Sequence, residues 1–404
     1  MQVIGDIPVC GDPVFEDALK QIQNCRETVE YAVLNADHHV GYGCPIGGVM
    51  ASQELVSPTA VGYDIACGNK AVRLDADLGK VRKNLPTIMD AIAAQISFGI
   101  GRTAGWKVEH DLFNDPAWEK QPALKMQFRK DGQRRPARPL IDVAQEQLGT
   151  VGSGNHFVDV FSDENEQIWV GVHFGSRGFG HNVASYFLYH GNANEADNFA
   201  PPLNLHMQSD LGEQYIECMN LAGRYAYAGR DAVCAKVAEL VGGQIVEEIH
   251  QHHNFSWREE HFGIPYWVGR KGATPAFPGK QSFIGGSMGD DSVIVEGVDC
   301  DEAKRLLYST VHGAGRVISR SRATGMSRWG KKRYEPEISK EAMMGWIQPR
   351  GLELRGADVD EAPQAYKRLS DVLPQQGPSI RVVHTLRPIG VVMAGADVVD
   401  PYKD

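Results

Sequence analysis

Long apolar runs are missing. No stretch of the 404 residues approaches the ~20 that a membrane-spanning helix needs. The opening segment, MQVIGDIPVCGDPVFED, lacks a basic start followed by an apolar run, so no secretory signal is read and a cytoplasmic location is expected. Cysteine is sparse: seven, at 10, 25, 44, 67, 218, 234 and 300. The odd count and scattered spacing exclude a disulfide framework, and the lack of any CxxC pair speaks against a zinc ribbon. GxxxxGK[ST] is absent, which excludes a P-loop. A lysine nucleophile in a Lys-x-Asp-Gly setting is absent too, because the nearest string, Arg129-Lys-Asp-Gly132, has the wrong spacing. A covalent nucleotide, if one forms, therefore needs another nucleophile, and histidine can serve. Positive charge is short overall, with a formal net charge of −10, which by itself points away from nucleic acid.

What charge there is lies unevenly. From Arg316 to Arg333 the chain carries seven basic residues (Arg316, Arg320, Arg322, Arg328, Lys331, Lys332, Arg333) and no acidic one. Arg129, Lys130, Arg134, Arg135 and Arg138 form a second cluster, with Asp131 the only acid. Each reads either as a solvated face or as a local anion-binding surface on an acidic protein.

Glycine is abundant, 44 residues in all, about 11% against a usual ~7%. The glycines gather in short runs at 41–48, 149–154, 175–180, 285–289 and 312–316, beside histidines, hydroxyls or carboxylates. Glycine lets backbone approach a ligand closely, so several such loops suggest one site assembled from many segments; taken singly, each is also an ordinary turn. Helical spacing predicts helices over Ser209–Tyr227, over Asp231 to about His250, and over Pro86–Phe98. His156–Phe161 and Ile168–His173 read as a hairpin across a polar loop, Ser162–Gln167. Further strands are expected at Phe283–Ile284, Ser292–Glu296 and Arg381–Leu386, and Lys120–Arg138 as a surface excursion. The fold class is α+β, with 1–404 as a single large mixed domain.

In the simplest hairpin register, Phe161 faces Ile168 and His156 faces His173, about 5 Å apart on one face. Asp64-Ile-Ala-Cys67 puts a carboxylate and a thiol three apart at a strand-to-turn corner, and His252-His253-Asn254 closes the long helix. Cys, Asp and three His make an N/S/O donor set that suits a first-row transition metal better than calcium or magnesium. Singly, each has a structural reading, and a lone buried histidine is more commonly a core residue than a ligand. His312, opening His312-Gly-Ala-Gly-Arg316, is the best histidine nucleophile, with Arg316 available to phosphate oxygens. The run 285–292 offers backbone N–H groups and hydroxyls to an anion.

VGYDIACG (61–68), GSGNHFVD (152–159), HFGSRGFGH (173–181), HHN (252–254), RKGATPAFPG (270–279), GGSMGDDS (285–292), HGAGR (312–316), DEAPQAYK (360–367) and RPIGVV (387–392) resemble, in order, the motif set of the RtcB family of RNA ligases. DHHVGYGCPIGG (37–48) resembles its N-terminal signature. The resemblance implies an α+β fold peculiar to that family and two manganese ions at Asp64, Cys67, His156, His173 and His253, with the Cys67 thiolate bridging. It implies that His312 attacks the α-phosphate of GTP, and that GMP then passes to an RNA 3′-phosphate and is displaced by a 5′-hydroxyl. A 2′,3′-cyclic phosphate would first be hydrolysed. The implied nucleotide-binding residues are Asn155, His156, Asp159, His253, Asn254, Gly285, Gly286, Ser287, Met288, Ser292, His312, Gly313, Ala314, Gly315 and Tyr366. RNA is assigned to Arg316, Lys331, Lys332 and Arg333. The expected partner is RNA, as tRNA halves or broken ends, with an accessory activator protein left open and the chain acting as a monomer.

Two departures concern the base. The family usually has Glu where this chain has Asp159, and it usually ends Gly-Val-Val-Lys-Gly where this chain reads Gly390-Val-Val-Met-Ala-Gly395. Nucleotide selection is therefore expected to be altered while phosphate chemistry is kept. Two other readings compete: a metal-dependent RNA-end phosphoesterase, and an RNA-binding protein whose ligase activity has decayed.

Overall fold

Two sheets organise the chain in a computed structural model that describes residues 1–129, 136–326, 332–396 and 398. The larger runs Ile245–His252, Gly68–Leu74, Ile168–Phe174, Phe157–Ser162, Ile380–Gly395, Ser292–Gly297, Gln281–Ile284, with Glu353–Ala357 parallel to the long C-terminal strand. It curls almost into a barrel: the side-chain amides of Gln251 on the edge strand and Asn69 on the strand beside it both donate to the Phe283 carbonyl on the opposite edge, at 2.8 and 2.9 Å. The second sheet orders Gln2–Ile4, Ile7–Val9, Tyr31–His39, Ile46–Ser52, Ile264–Lys271, Asn254–His261. The fold is α+β, and among the described residues no helix is long and apolar enough to cross a membrane.

Strand alternation partitions the core. Val158, Val160, Val170 and Val172 turn outward against the helices Leu78–Gln95 and Asp210–Val241. Phe157, Phe161 and Trp169 turn inward with Phe283 and Ile294. Asp159, between Phe157 and Phe161 in the period-two pattern, shares the inward face.

The predicted helices 209–227 and 231–250 are one helix, Asp210–Val241, and it ends nine residues before the expected stop. Ser209 caps it by accepting from Gly212 N, and Gly242 closes it in the left-handed region at φ 86°. Residues Ile245–His252 are a strand, not helix. Their apolar spacing resembles a helical stripe, but Gly242-Gly243 breaks the chain first. The helix expected from Pro86 starts earlier, at Leu78, capped by Asp77, with Pro86 inside it. The hairpin forms one residue out of the assumed register: Ser162 pairs with Ile168, Phe161 with Trp169 and Phe157 with His173. Asp163 decides this. Its carboxylate accepts from Asn165 N, Gln167 N and Trp169 Nε1 at 2.8–2.9 Å, which shortens the loop by one residue and draws Ser162 into the ladder. The strands at 281–284, 292–297 and 380–395 contain those expected. Lys120–Arg138 begins not as a surface excursion but inside the helices Ala117–Lys120 and Pro122–Lys125, which bury Trp118, Ala123 and Leu124. Its Lys130, Arg134 and Arg135 lie outside the described residues.

Candidate active site

The two sheets meet at His253. The strand Ile245–His252 ends in one sheet and Asn254–His261 begins in the other, so His253 does not close a helix but sits at the step between sheets. Asp64–Cys67 lies nearby as a turn leading into the strand Gly68–Leu74, the reverse of the expected strand-to-turn order. Backbone bonds stitch the segments together: His253 N donates to Cys67 O at 2.8 Å and Ala66 N to Asn254 O at 2.7 Å.

All the proposed metal-ligating residues converge here. Cys67 Sγ is 3.2 Å from His173 Nε2 and 3.6 Å from His156 Nε2. His156 Nε2 is 3.0 Å from Asp64 Oδ2, and His173 Nε2 is 3.3 Å from His253 Nε2. The register slip does not separate His156 from His173, because His156 precedes its strand and is free of the ladder's alternation; their ring centroids are 5.3 Å apart.

Cys67, His156 and His173 form a group that could hold a metal ion. His173 Nδ1 donates to the Asn155 carbonyl, so its Nε2 is a bare acceptor aimed at the thiol and at a second imidazole nitrogen. Burial holds both His173 and His253 well below the ordinary imidazole value, which favours the neutral rings that ligate metals. Burial pushes the Cys67 thiol well up, and the Asp64 carboxylate adds to this. Burial also opposes the charge of Asp64, but the hydrogen bond and charge of His156 outweigh it and bring that carboxyl to about 2. Donor atoms 3.0–3.6 Å apart match neighbours in a shell whose ligand bonds are ~2.0–2.3 Å.

His312 stands beside this cluster, its ring 4.9 Å from that of His253. The strand Ser309–Val311 delivers it, paired with Ala273–Pro275. Its Nδ1 is 2.6 Å from Asp37 Oδ2, which also accepts from His312 N at 2.9 Å and Gly313 N at 3.3 Å. Asp37 is fully buried. Burial alone would raise its carboxyl, but the charge and hydrogen bonds of His312 leave it below the usual carboxylate range. Asp37 reaches His312 because the ladder of Tyr31–His39 is interrupted between Leu34 and His39. Two glycines allow the approach. A Cβ at Gly315 (φ 80°) would lie 2.4 Å from Asp37 O, and one at Gly47 (φ 82°) 3.0 Å from His38 Cα.

A cleft of about 360 Å³ opens over the cysteine, the histidines and the glycine loops. Asn155, Asp159, Asn254, residues 285–288 and 312–316, and Tyr366 line it. Ser292 does not; it is buried, and its Oγ accepts from Gly286 N at 2.9 Å, shaping the loop from beneath. Asn254 spends its amide within the protein, accepting from Gly272 N and donating to Asp64 O. Asp159, Val391 and Met393 share the cleft wall, with Asp159 paired to Val391 across the ladder. Burial pushes the Asp159 carboxyl well above the ordinary value, and its Oδ1 has no hydrogen-bond partner among the described residues.

The basic stretch is more neutral than its sequence. Arg316 donates to Glu361 Oε2, the Tyr366 hydroxyl and the carbonyls of Ile318 and Asp360, at 2.6–3.1 Å. Its guanidinium is committed to the protein rather than offered to an anion, and it clamps 312–316 to 360–366. Arg320 also bonds Glu361, Arg322 bonds Glu337 and Lys332 bonds Glu335. Arg328 and Lys331 lie outside the described residues, and Arg333 lies among them. Sequence reasoning missed Asp37 and Glu361 as partners. Both stand inside quoted motifs, but nothing in the spacing joins Asp37 to a histidine 275 residues away.

The family model described as tRNA-splicing ligase RtcB matches residues 18–394. The RNA-splicing ligase RtcB of Escherichia coli (strain K12) is 32% identical over 406 residues, covering 94% of each chain. The tRNA-splicing ligases RtcB of Thermococcus kodakarensis and Pyrobaculum aerophilum are 30% and 32% identical, each covering 90% of this chain and 87% of its own.

Proposed function

This chain belongs to the RtcB family and is an RNA ligase, and from that premise we propose that it joins RNA 3′-phosphate or 2′,3′-cyclic phosphate ends to 5′-hydroxyl ends through a GMP carried on His312. The observation that carries this reading is the Asp37–His312 pair set against the thiol–imidazole cluster. With Nδ1–H held by the Asp37 carboxylate, Nε2 keeps its lone pair for attack. The Nε2–P bond forms at the α-phosphorus of GTP, the bond to the β-phosphate bridging oxygen breaks, and pyrophosphate leaves. An RNA 3′-phosphate oxygen next takes the guanylyl group from His312, and its Nε2–P bond breaks. The 5′-hydroxyl oxygen then attacks the RNA phosphate, GMP departs, and a 3′,5′-phosphodiester remains.

Asp64, Cys67, His156, His173 and His253 are the residues that would hold manganese, as two ions. When bound, such ions neutralise phosphate charge and polarise the phosphorus toward attack. Asp37 stabilises the positive charge that develops on the His312 ring. Backbone N–H groups of Gly285, Ser287, Met288, Ala314 and Gly315 cradle phosphate oxygens, while those of Gly286 and Gly313 hold the loops to Ser292 and Asp37. Lys331, Lys332 and Arg333 meet the RNA backbone, with Arg316 supporting that wall of the cleft through Glu361.

Intact mass spectrometry after incubation with Mn²⁺ and each NTP tests the reading. A GMP adduct, acid-labile and alkali-stable, is expected, and His312→Ala should abolish both adduct and ligation while metal still binds. Absence of an adduct on the unaltered chain would leave the phosphoesterase or the decayed-ligase reading standing instead.

A further inference from the structure

We propose that Arg230, on the long helix, is a positioning residue that holds three ligand-bearing segments of the metal centre in mutual register. The inference rests on the metal-centre reading above. Arg230 is fully buried. Its Nη1 donates to the carbonyls of Ala66 and Phe174 at 3.0 and 2.5 Å, and its Nη2 bonds His252 Nδ1 at 2.8 Å. These three residues each adjoin a proposed ligand: Ala66 precedes Cys67, Phe174 follows His173, and His252 precedes His253. One planar group thus ties together segments drawn from two strands and a turn. Its Nε bonds His250 Nε2 at 2.8 Å, so every nitrogen of the guanidinium is engaged.

Two features separate this arrangement from ordinary packing. Ala66 has φ 61°, a left-handed conformation unfavourable for a non-glycine residue, and Arg230 bonds the carbonyl of that very residue. The partners of the buried cation are carbonyls and imidazoles, with no carboxylate among the described residues bonded to it. For stability alone an apolar side chain of like volume would avoid the desolvation cost. What a guanidinium adds is a rigid fork whose donors point in fixed directions, which a lysine ammonium cannot reproduce. The helix delivers it closely because Gly229 leaves room against Phe174.

Metal titration of the purified full-length chain tests the proposal, by following free Mn²⁺ and, separately, the thiolate-to-cobalt charge-transfer band with Co²⁺. Arg230→Lys should weaken Mn²⁺ binding by the folded protein about 10-fold, toward the lower end of the cost of losing a direct partner of a ligand, because Arg230 acts on residues next to the ligands, and should shift or weaken the cobalt band. His252→Phe removes one of the three contacts while keeping the ring between Tyr227 and Phe255, and should weaken binding by roughly threefold or more. A folded Arg230→Lys with unchanged affinity and spectrum would show a purely structural arginine and overturn the proposal. If Arg230→Lys does not fold, His252→Phe decides by the same two readouts. Failure of the unaltered chain to bind either metal would sink the metal-centre reading itself, a distinct result.

Discussion

Replacing Asp37 by Asn isolates the part of nucleophile activation that depends on charge. The substitution keeps an oxygen where Oδ2 now accepts from His312 Nδ1, His312 N and Gly313 N. The geometry of the loop is therefore retained and the negative charge is lost. Two terms follow. Bonds to charged groups contribute about 1.5–3 kcal/mol against about 0.5–1.5 for neutral pairs, so roughly 1 kcal/mol is lost there. The imidazole becomes cationic as the N–P bond forms. At about 4 Å and an effective dielectric of about 20, a full opposite charge is worth about 4 kcal/mol; a half-developed one gives about 2. The sum, about 3 kcal/mol, corresponds to roughly a 10²-fold slower transfer of GMP to His312. Single-turnover adduct formation at saturating GTP and Mn²⁺ measures it, with metal affinity followed in parallel. A loss smaller than about fivefold, or a loss matched by weaker metal binding, would refute the assignment of Asp37 to the nucleophile.

Four further outcomes are expected. Replacing Lys331, Lys332 and Arg333 together should weaken RNA binding and lower the slope of log affinity against log salt by about 2, from ~0.7 per phosphate contact on a single strand, while adduct formation survives; an unchanged slope means a solvated face. Adduct yield across the four NTPs should show weaker preference for GTP over ATP than is usual in the family, because Asp159 is short and Met393 cannot donate to a base; exclusive use of GTP would show that other residues read it. Arg316→Met should cost about 3 kcal/mol in denaturant unfolding, because it removes one partner of buried Glu361, moderated by the bond from Arg320 that remains. Asp231, where burial is outweighed by hydrogen bonds from His250 and Lys70, is lowered to about 2. Its stabilising contribution is thus complete above pH ~4 and lost as pH falls toward 2, and Asp231→Asn should flatten the melting temperature over that window.

The motifs were legible in the sequence because their chemistry is local. The glycine runs, the thiol three residues from a carboxylate and the histidine opening 312–316 each announce close backbone approach or ligand chemistry within a few residues, and together they carried the family resemblance. The hairpin strands of the large sheet were legible for the same reason, through their β-branched and aromatic residues on either side of a polar loop. Errors came where a distant or competing contact decided the outcome. Asp163 reset the hairpin register through three hydrogen bonds from its own loop, a side-chain effect that alternation does not encode. The strand ending at His252 carries a helix-like apolar pattern, and pairing with Gly68–Leu74 settled it. Splitting the long helix at 228–230 hid Arg230, whose role exists only because Ala66, Phe174 and His252 surround it. Asp37 likewise became a partner of His312 only when the strand Tyr31–His39 met the loop that follows Ser309–Val311. Residue type and short spacing thus determined which groups were present. Convergence of segments hundreds of residues apart, fixed by sheet pairing and buried hydrogen bonds, decided which of them act on one another.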